Sequence, residues 1–352
     1  MSENLPIPPL RSPERLPIPG LPDDLIELHL HAGGAVAPHI LFSMAHEQGF
    51  KLPVRDYFEF VELVTSNPER VKSLEDYLEI LHRWTERIQS SPHAMERSVY
   101  EILAKEYRGS RVATMELRFN PMKRNLGGER DLDHIIHAAL RGMDRACLEY
   151  GVKAGLIFCL AREFDIELNA IIVEKAIRYQ SRGVIGIDLA GTEAQPLELD
   201  PGRARHFAGL FAKARSAGLK TTVHTGETSE TSADGVIAAV RHLRPNRIGH
   251  GIRAAYSPEA MEMLKGEGIV LEICPTSNLH TRAVRDLEEL RFVLRTFLER
   301  GVRFTINSDA TYLLATDLRR ELELLVAAGI LTPSEIVDCV ATAHDASFVP
   351  KG

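Results

Sequence analysis

The sequence has few cysteines, no strongly basic segment and no long apolar run, and each shortage removes a class of function. Its four cysteines, Cys147, Cys159, Cys274 and Cys339, are scattered without a CxxC pair. That pattern excludes a disulfide framework and reads as reduced structural thiols in a reducing compartment. Lys and Arg number 42 against 49 Asp and Glu, a formal net charge of -7. No basic run is present to follow a phosphate backbone, so nucleic acid is not an expected partner. No stretch reaches the ~20 apolar residues that a membrane span requires, and no membrane partner is expected. Residues 1–24 are rich in proline, as in "MSENLPIPPLRSPERLPIPGLP", and hold no apolar core of signal-peptide length. They are expected to lie as an arm over the surface of a soluble, cytoplasmic protein.

What is present is a regular alternation of short apolar runs and amphipathic stretches. The runs are "LIELHL" (25–30), "VATMELRF" (112–119), "KAGLIFCL" (153–160), "GVIGIDLA" (183–190), "LKTTVHT" (219–225), "RIGHG" (247–251), "GIVLEIC" (268–274) and "VRFTINS" (302–308). Between them lie helical patterns such as 132–150, with apolar residues recurring at three and four, and 203–217, closed by Gly218. Eight strand–helix units in 352 residues predict an α/β chain folded as one (β/α)8 TIM barrel over residues 25–352. A long insertion after the first strand, approximately 35–111, carries "YFEFVELV" and "LEDYLEILHRW" and predicts helices forming a lid over the barrel mouth.

In such a barrel, reactive side chains gather where strands end. The polar residues at those predicted ends are His29 and His31, Glu116 and Arg118, Asp188 with Gly191, His224 and Glu227, His250, and Ser308 with Asp309. His29 and His31 are two positions apart, so on a strand both rings project from one face and can hold one ion. An HxH alone is more often a hydrogen-bonded core pair. A third imidazole, His224, and a carboxylate, Asp309, complete a nitrogen-and-oxygen set typical of a divalent transition metal, with zinc the default. Glu227 follows His224 by three residues and is placed for acid/base work beside the ion, although alone it could simply begin a helix. His250 lies between glycines as either a fourth ligand or an unligated orienting group. Glu116 and Arg118 share a face and could pair with barrel neighbours as structural ion pairs at the mouth, and Ser277 and Asn278 are candidates for shaping the pocket. His82, His280 and His344 are read as surface or core residues, and Cys274 as an inert buried thiol.

The ordered motifs "ELHLH", "DLAGTE", "TVHTGE", "RIGHG", "EICPTSN" and "TINSD" resemble the adenosine/adenine deaminase family of metal-dependent barrels, over nearly all of residues 25–349. The resemblance implies one Zn2+ per chain held by His29, His31, His224 and Asp309, with Glu227 as proton donor to ring nitrogen 1 of a purine. It also implies that His250 orients an attacking hydroxide, that the Gly191 amide addresses ring nitrogen 3, and that the reaction is hydrolytic deamination at purine carbon 6. The HxE and PCxxC patterns of the other zinc deaminases are missing.

Two departures bear on the substrate. Family members usually have "HLDG" where this chain has "HAGG", which puts Gly33 at a sugar-contact position. They also carry a second aspartate where this chain has Ala310, so the usual acceptor for purine nitrogen 7 is gone. A missing hydrogen bond of that kind costs a substrate on the order of 1–3 kcal/mol. The expectation is therefore a zinc-dependent deaminase of an aminopurine nucleoside or analogue. The alternatives are another amidohydrolase or deaminase reaction, on a modified adenine, aminodeoxyfutalosine or another amino-heterocycle, and a non-catalytic ligand-binding protein.

Overall fold

Strands buried on both faces read as continuous apolar runs rather than as alternating ones, and the eight runs become eight parallel strands. The computed structural model describes residues 15–67, 69–125, 131–194, 196 and 200–351. The strands are β1 Leu25–His31, β2 Val112–Phe119, β3 Lys153–Ala161 and β4 Val184–Ala190. They continue with β5 Lys220–Thr225, β6 Arg247–His250, β7 Val270–Ile273 and β8 Phe304–Ile306. They pair in sequence order from β1 to β8, with helices in the connections, as a (β/α)8 TIM barrel requires.

Among the described residues the β8–β1 seam has a single bridge, between Leu30 and Asp309, made by His31 N to Asp309 O at 2.7 Å and Asp309 N to His29 O at 2.9 Å. Below it, side chains take the place of a ladder. Leu28 N donates to Asn307 Oδ1 at 3.3 Å, and Ser308 donates through N and Oγ to Glu27 Oε2 at 3.0 and 2.6 Å. The barrel is nearly closed, and its last edge is joined by polar side chains that would otherwise be unpartnered in a buried place.

The barrel interior is also polar where such barrels are usually filled with branched apolar side chains. Arg118 reaches Asp188 at 3.0 Å and Glu272 at 2.9 Å. Arg247 reaches Glu272 at 2.6 Å and Glu116 at 2.5 Å. All five side chains are buried, so they form one chain of alternating charge across the barrel. Glu116 and Arg118 thus pair with barrel neighbours, as expected, although the ion pairs run across the interior and not only at the mouth. The two residues do share a face, but each finds a different partner: Glu116 lies low, taking Arg247, Ser347 Oγ at 2.9 Å and Phe348 N at 2.5 Å.

The insertion begins with helices Pro38–Glu47, Tyr57–Val64 and Leu74–Ile80, the last continuing through a wider turn, Leu81–Thr85, into Glu86–Ile88. Asp56 caps the second and Ser73 the third by accepting backbone N–H bonds. Val71, Leu74, Tyr77, Ile80 and Leu81 pack on Ala310, Leu313 and Leu314, which docks the lid onto the loop after β8. Helix Pro92–Ser110 instead packs along helix Leu132–Tyr150 and β2 in the outer ring. The part over the mouth therefore ends near residue 90, earlier than the sequence pattern suggests. Of the N-terminal arm, residues 1–14 lie outside the described residues; Arg15 pairs with Asp317 at 3.1 Å and Ile18 is buried in the main core. No helix among the described residues is long and apolar enough to cross a membrane.

The seam makes a direct prediction. Replacing Asn307 by the isosteric Leu leaves the buried Leu28 N–H without its acceptor and should cost about 1–3 kcal/mol of stability. Urea unfolding of the two proteins measures this, and equal midpoints would show that the side-chain closure contributes nothing.

Candidate active site

His29 and His31 alternate on β1, so both rings enter the barrel mouth from one strand. His29 Nδ1 is 2.7 Å from Glu272 Oε2, and His224 Nδ1 is 3.0 Å from Asp188 Oδ2. A neutral imidazole that donates through Nδ1 presents a lone pair at Nε2. The Nε2 atoms converge, His31 lying 3.3 Å from His29 and 3.1 Å from His224. Asp309 Oδ1 stands 3.5 Å from His31 Nε2 and 3.7 Å from His29 Nε2.

Burial and charge suit this cluster to holding a cation. Burial and the Arg118 charge hold the His29 ring well below the usual imidazole range, and burial brings His31 down to about 3. Lone pairs presented at these distances would be relieved of their mutual repulsion by a positive ion among them. His29, His31 and His224 offer ligand atoms all within 4.8 Å of one another. Three imidazoles and one carboxylate suit a divalent transition metal. Asp309 stays ionised: burial pushes its carboxyl up, but His31, His250 and a hydrogen bond from Ser277 bring it below its usual value.

Two residues hold their positions only through left-handed backbone. Asp309 has φ 61° and His250 φ 60°, a conformation that disfavours residues with a Cβ and concentrates at functional sites. Ser277 Oγ donates to Asp309 Oδ2 at 2.6 Å, and Tyr77 OH, from the lid, to the same oxygen at 3.4 Å. Asn278 Nδ2 is 3.0 Å from His250 Nδ1, so the proton of the neutral His250 ring sits on Nε2, which faces Glu227 Oε2 at 3.5 Å.

Glu227 is buried, and its carboxyl is pushed up to about 8, first by burial and then by the charges of Glu193 and Asp309. Thr281 Oγ1 donates to Glu227 Oε1 at 3.1 Å, while Glu193 accepts from the Glu227 and Thr228 backbone N–H groups at 3.2 and 2.6 Å. The result is a buried acid fixed beside a cation site, as a proton donor requires.

A cavity of about 690 Å3, counting its open mouth, joins these groups. Of the residues selected from sequence, His31, Gly33, Gly191, His224, Glu227, His250 and Asp309 line it, and His29 lies directly behind. Three others lie off its lining. Ser277 and Asn278 touch Asp309 and His250 from behind. Ala310 is fully buried in the lid-docking cluster, so close to the chain that a Cβ on Gly34 would stand 2.3 Å from its own.

Sequence reading missed other members. Asp188 was placed at a strand end without a role, and Glu272 was not selected; both point inward on their strands, a register legible only once the barrel is closed. His82, read as a surface or core residue, lines the cavity with Leu74, Tyr77, Leu81 and Glu86 of the lid. Its Nε2 lies 2.7 Å from Lys123 Nζ. His280 is a core residue bonded to Ser66 at 2.9 Å, and the buried Cys274 thiol is held well above its usual range by burial.

Comparison with known proteins agrees with this geometry. The sequence profile of the adenosine deaminase family matches residues 24–352. An adenosine deaminase of Vibrio vulnificus is 30% identical over 323 residues, 92% of this chain and 93% of the relative. The solved adenine deaminase of Arthrobacter aurescens shares the fold with a TM-score of 0.82 at 24% identity, covering 94% of this chain and 95% of its own. An amidohydrolase of Burkholderia ambifaria with bound Zn superposes with a TM-score of 0.81 at 24% identity, covering 93% and 86%. This chain belongs to the adenosine deaminase family, hydrolases acting on carbon–nitrogen bonds in cyclic amidines.

Proposed function

We propose that the protein is a zinc-dependent deaminase of an aminopurine nucleoside or a close analogue, replacing the amino group at purine carbon 6 by oxygen and releasing ammonia. The observation that carries this reading is the buried Glu227 carboxyl facing a cavity beside three converging imidazoles and Asp309. His29, His31, His224 and Asp309 would hold one Zn2+, a metal also bound by the Burkholderia relative. Zinc, when bound, supplies Lewis acidity that makes water a competent nucleophile near neutral pH.

The chain's own residues do the rest. Glu227 holds a proton at Oε within the cavity and delivers it to ring nitrogen 1, which draws electron density from carbon 6. His250, through its Nε2–H, orients the attacking water, and Asn278 fixes the tautomer that makes this possible. Asp188 and Glu272 keep His224 and His29 turned toward the cavity. The Gly191 backbone, at φ 100°, lies on the cavity wall where it can address ring nitrogen 3.

A second reading, a deaminase of a modified adenine, aminodeoxyfutalosine or another amino-heterocycle, is favoured by Ala310. The alanine supplies no acceptor for the nitrogen-7 edge, and its close packing against Gly34 leaves little room for a larger side chain.

Ammonia release from a panel of aminopurines is the test. Turnover of at least one is expected, whereas none by a zinc-loaded protein would remove the proposal. Glu227→Gln should keep zinc and lose at least ~100-fold in kcat, because it removes a proton carrier and no ligand. His31→Ala should lose zinc itself, read by elemental analysis. Equal zinc loss in both would refute this division of roles. Asp188→Asn should weaken zinc binding by about 10–100-fold through the orientation of His224, measured by competition with a chelating dye; unchanged affinity would show that the carboxylate is not needed.

A further inference from the structure

The cavity wall formed by the lid and the loop after β2 carries more donors than the protein can satisfy. Arg124, in the short helical turn Met122–Arg124, is fully buried and lines the cavity. Its Nη1 lies 2.8 Å from Glu86 Oε1, yet Nε, Nη1 and Nη2 all lack a hydrogen-bond partner of acceptable geometry. Asn120, also on the cavity, leaves Nδ2 unpartnered. Among the described residues, every buried unpartnered polar atom on a cavity-lining side chain is a nitrogen donor: Arg118 Nε, Asn120 Nδ2 and the three of Arg124. A buried guanidinium with several donors left over beside a single carboxylate is costly, and the missing component is a group made of acceptors.

The surrounding charges specify that group further. Glu86 is buried, and although burial pushes its carboxyl up, Arg124 and Lys123 hold it down to about 2. It packs closely over position 33: a Cβ on Gly33 would stand 3.2 Å from Glu86 Cγ and 3.3 Å from its Oε1, so a side chain there would push it aside by a few tenths of an ångström. Lys123 pairs with Glu163 at 2.6 Å, and Glu163 keeps 30% of its side chain in solvent. Glu86 is buried, whereas Glu163 is partly exposed, so Lys123 and Arg124 meet one internal carboxylate and one at the edge of solvent, beside a row of unpartnered donors.

We propose that Arg124, with Lys123 and Asn120, forms a subsite for an oxyanion, a carboxylate or a phosphate ester, carried on a substituent of the aminopurine substrate. Arg suits either group because its planar fork can present two donors to two oxygens. This inference rests on the deaminase reading and names the class of substrate within it.

The test uses the zinc-loaded full chain with adenosine, adenosine 5′-carboxylate, spacer-extended 5′-linked carboxylates and adenosine 5′-phosphate, reading ammonia release. At least one anionic compound should exceed adenosine in kcat/KM by roughly 10- to 100-fold, the worth of a charge-assisted hydrogen bond. Preference for a carboxylate or for the phosphate identifies the source. Arg124→Lys keeps the charge beside Glu86 but removes the fork, and should reduce the anionic-to-neutral ratio at least ~10-fold. If that variant does not fold, calorimetric binding of inosine against inosine 5′-carboxylate and inosine 5′-phosphate to the unaltered protein should show the same preference. Turnover of adenosine without preference for any anionic compound overturns the subsite and leaves the deaminase reading intact. Failure to turn over any aminopurine overturns both.

Discussion

The buried chain of alternating charge inside the barrel is the constraint on which the rest depends. Asp188, Arg118, Glu272, Arg247 and Glu116 succeed one another at 2.5–3.0 Å. Removing a single member of such a network strands a charge away from water, which is strongly destabilising. Two of its carboxylates do a second task, since Glu272 and Asp188 also take the Nδ1 atoms of His29 and His224. Arg118 holds both carboxylates ionised: burial pushes Glu272 up, yet Arg118 and Arg247 bring it down to about 2. The same interaction that fills the barrel therefore fixes which way the imidazoles face.

Above that layer the site divides by element. The strand ends and the loops just after them supply the cation site and the acid, held by positive-φ backbone at His250 and Asp309 and by side chains packed behind them. The insertion after β1 supplies the outer wall, from Leu74 to Glu86, and it is anchored by an apolar cluster containing Ala310. On the proposed reading, reaction chemistry sits on the barrel, and substrate choice on the inserted lid and the neighbouring Lys123 and Arg124. This is the division that lets one barrel serve related substrates.

The strands and the residues that gather at their ends were legible because each strand is a compact apolar run ending in a polar residue, and the two histidines of "HLH" share one face of a strand. The exact end of the lid was not, because helix Pro92–Ser110 carries the amphipathic pattern of any surface helix and only its packing shows that it belongs to the outer ring. Nor were the partners of Glu116 and Arg118, since charges adjacent on a strand face give no hint of which of seven other strands answers them. His82 and Arg124 escaped for a related reason: their role depends on where the lid comes to rest. Ala310 was noticed for the residue it replaces, but its burial behind the cavity required the lid cluster to be seen.

The central claim is that buried carboxylates aim three imidazoles and Asp309 at one metal position. X-ray absorption at the zinc edge of the purified protein tests it most directly. The account predicts one zinc per chain with imidazole scattering from three histidines and nitrogen or oxygen ligands at about 2.0–2.2 Å, lost in His31→Ala and kept in Glu227→Gln. Zinc bound with fewer than three imidazoles, or with a spectrum unchanged in His31→Ala, would contradict it.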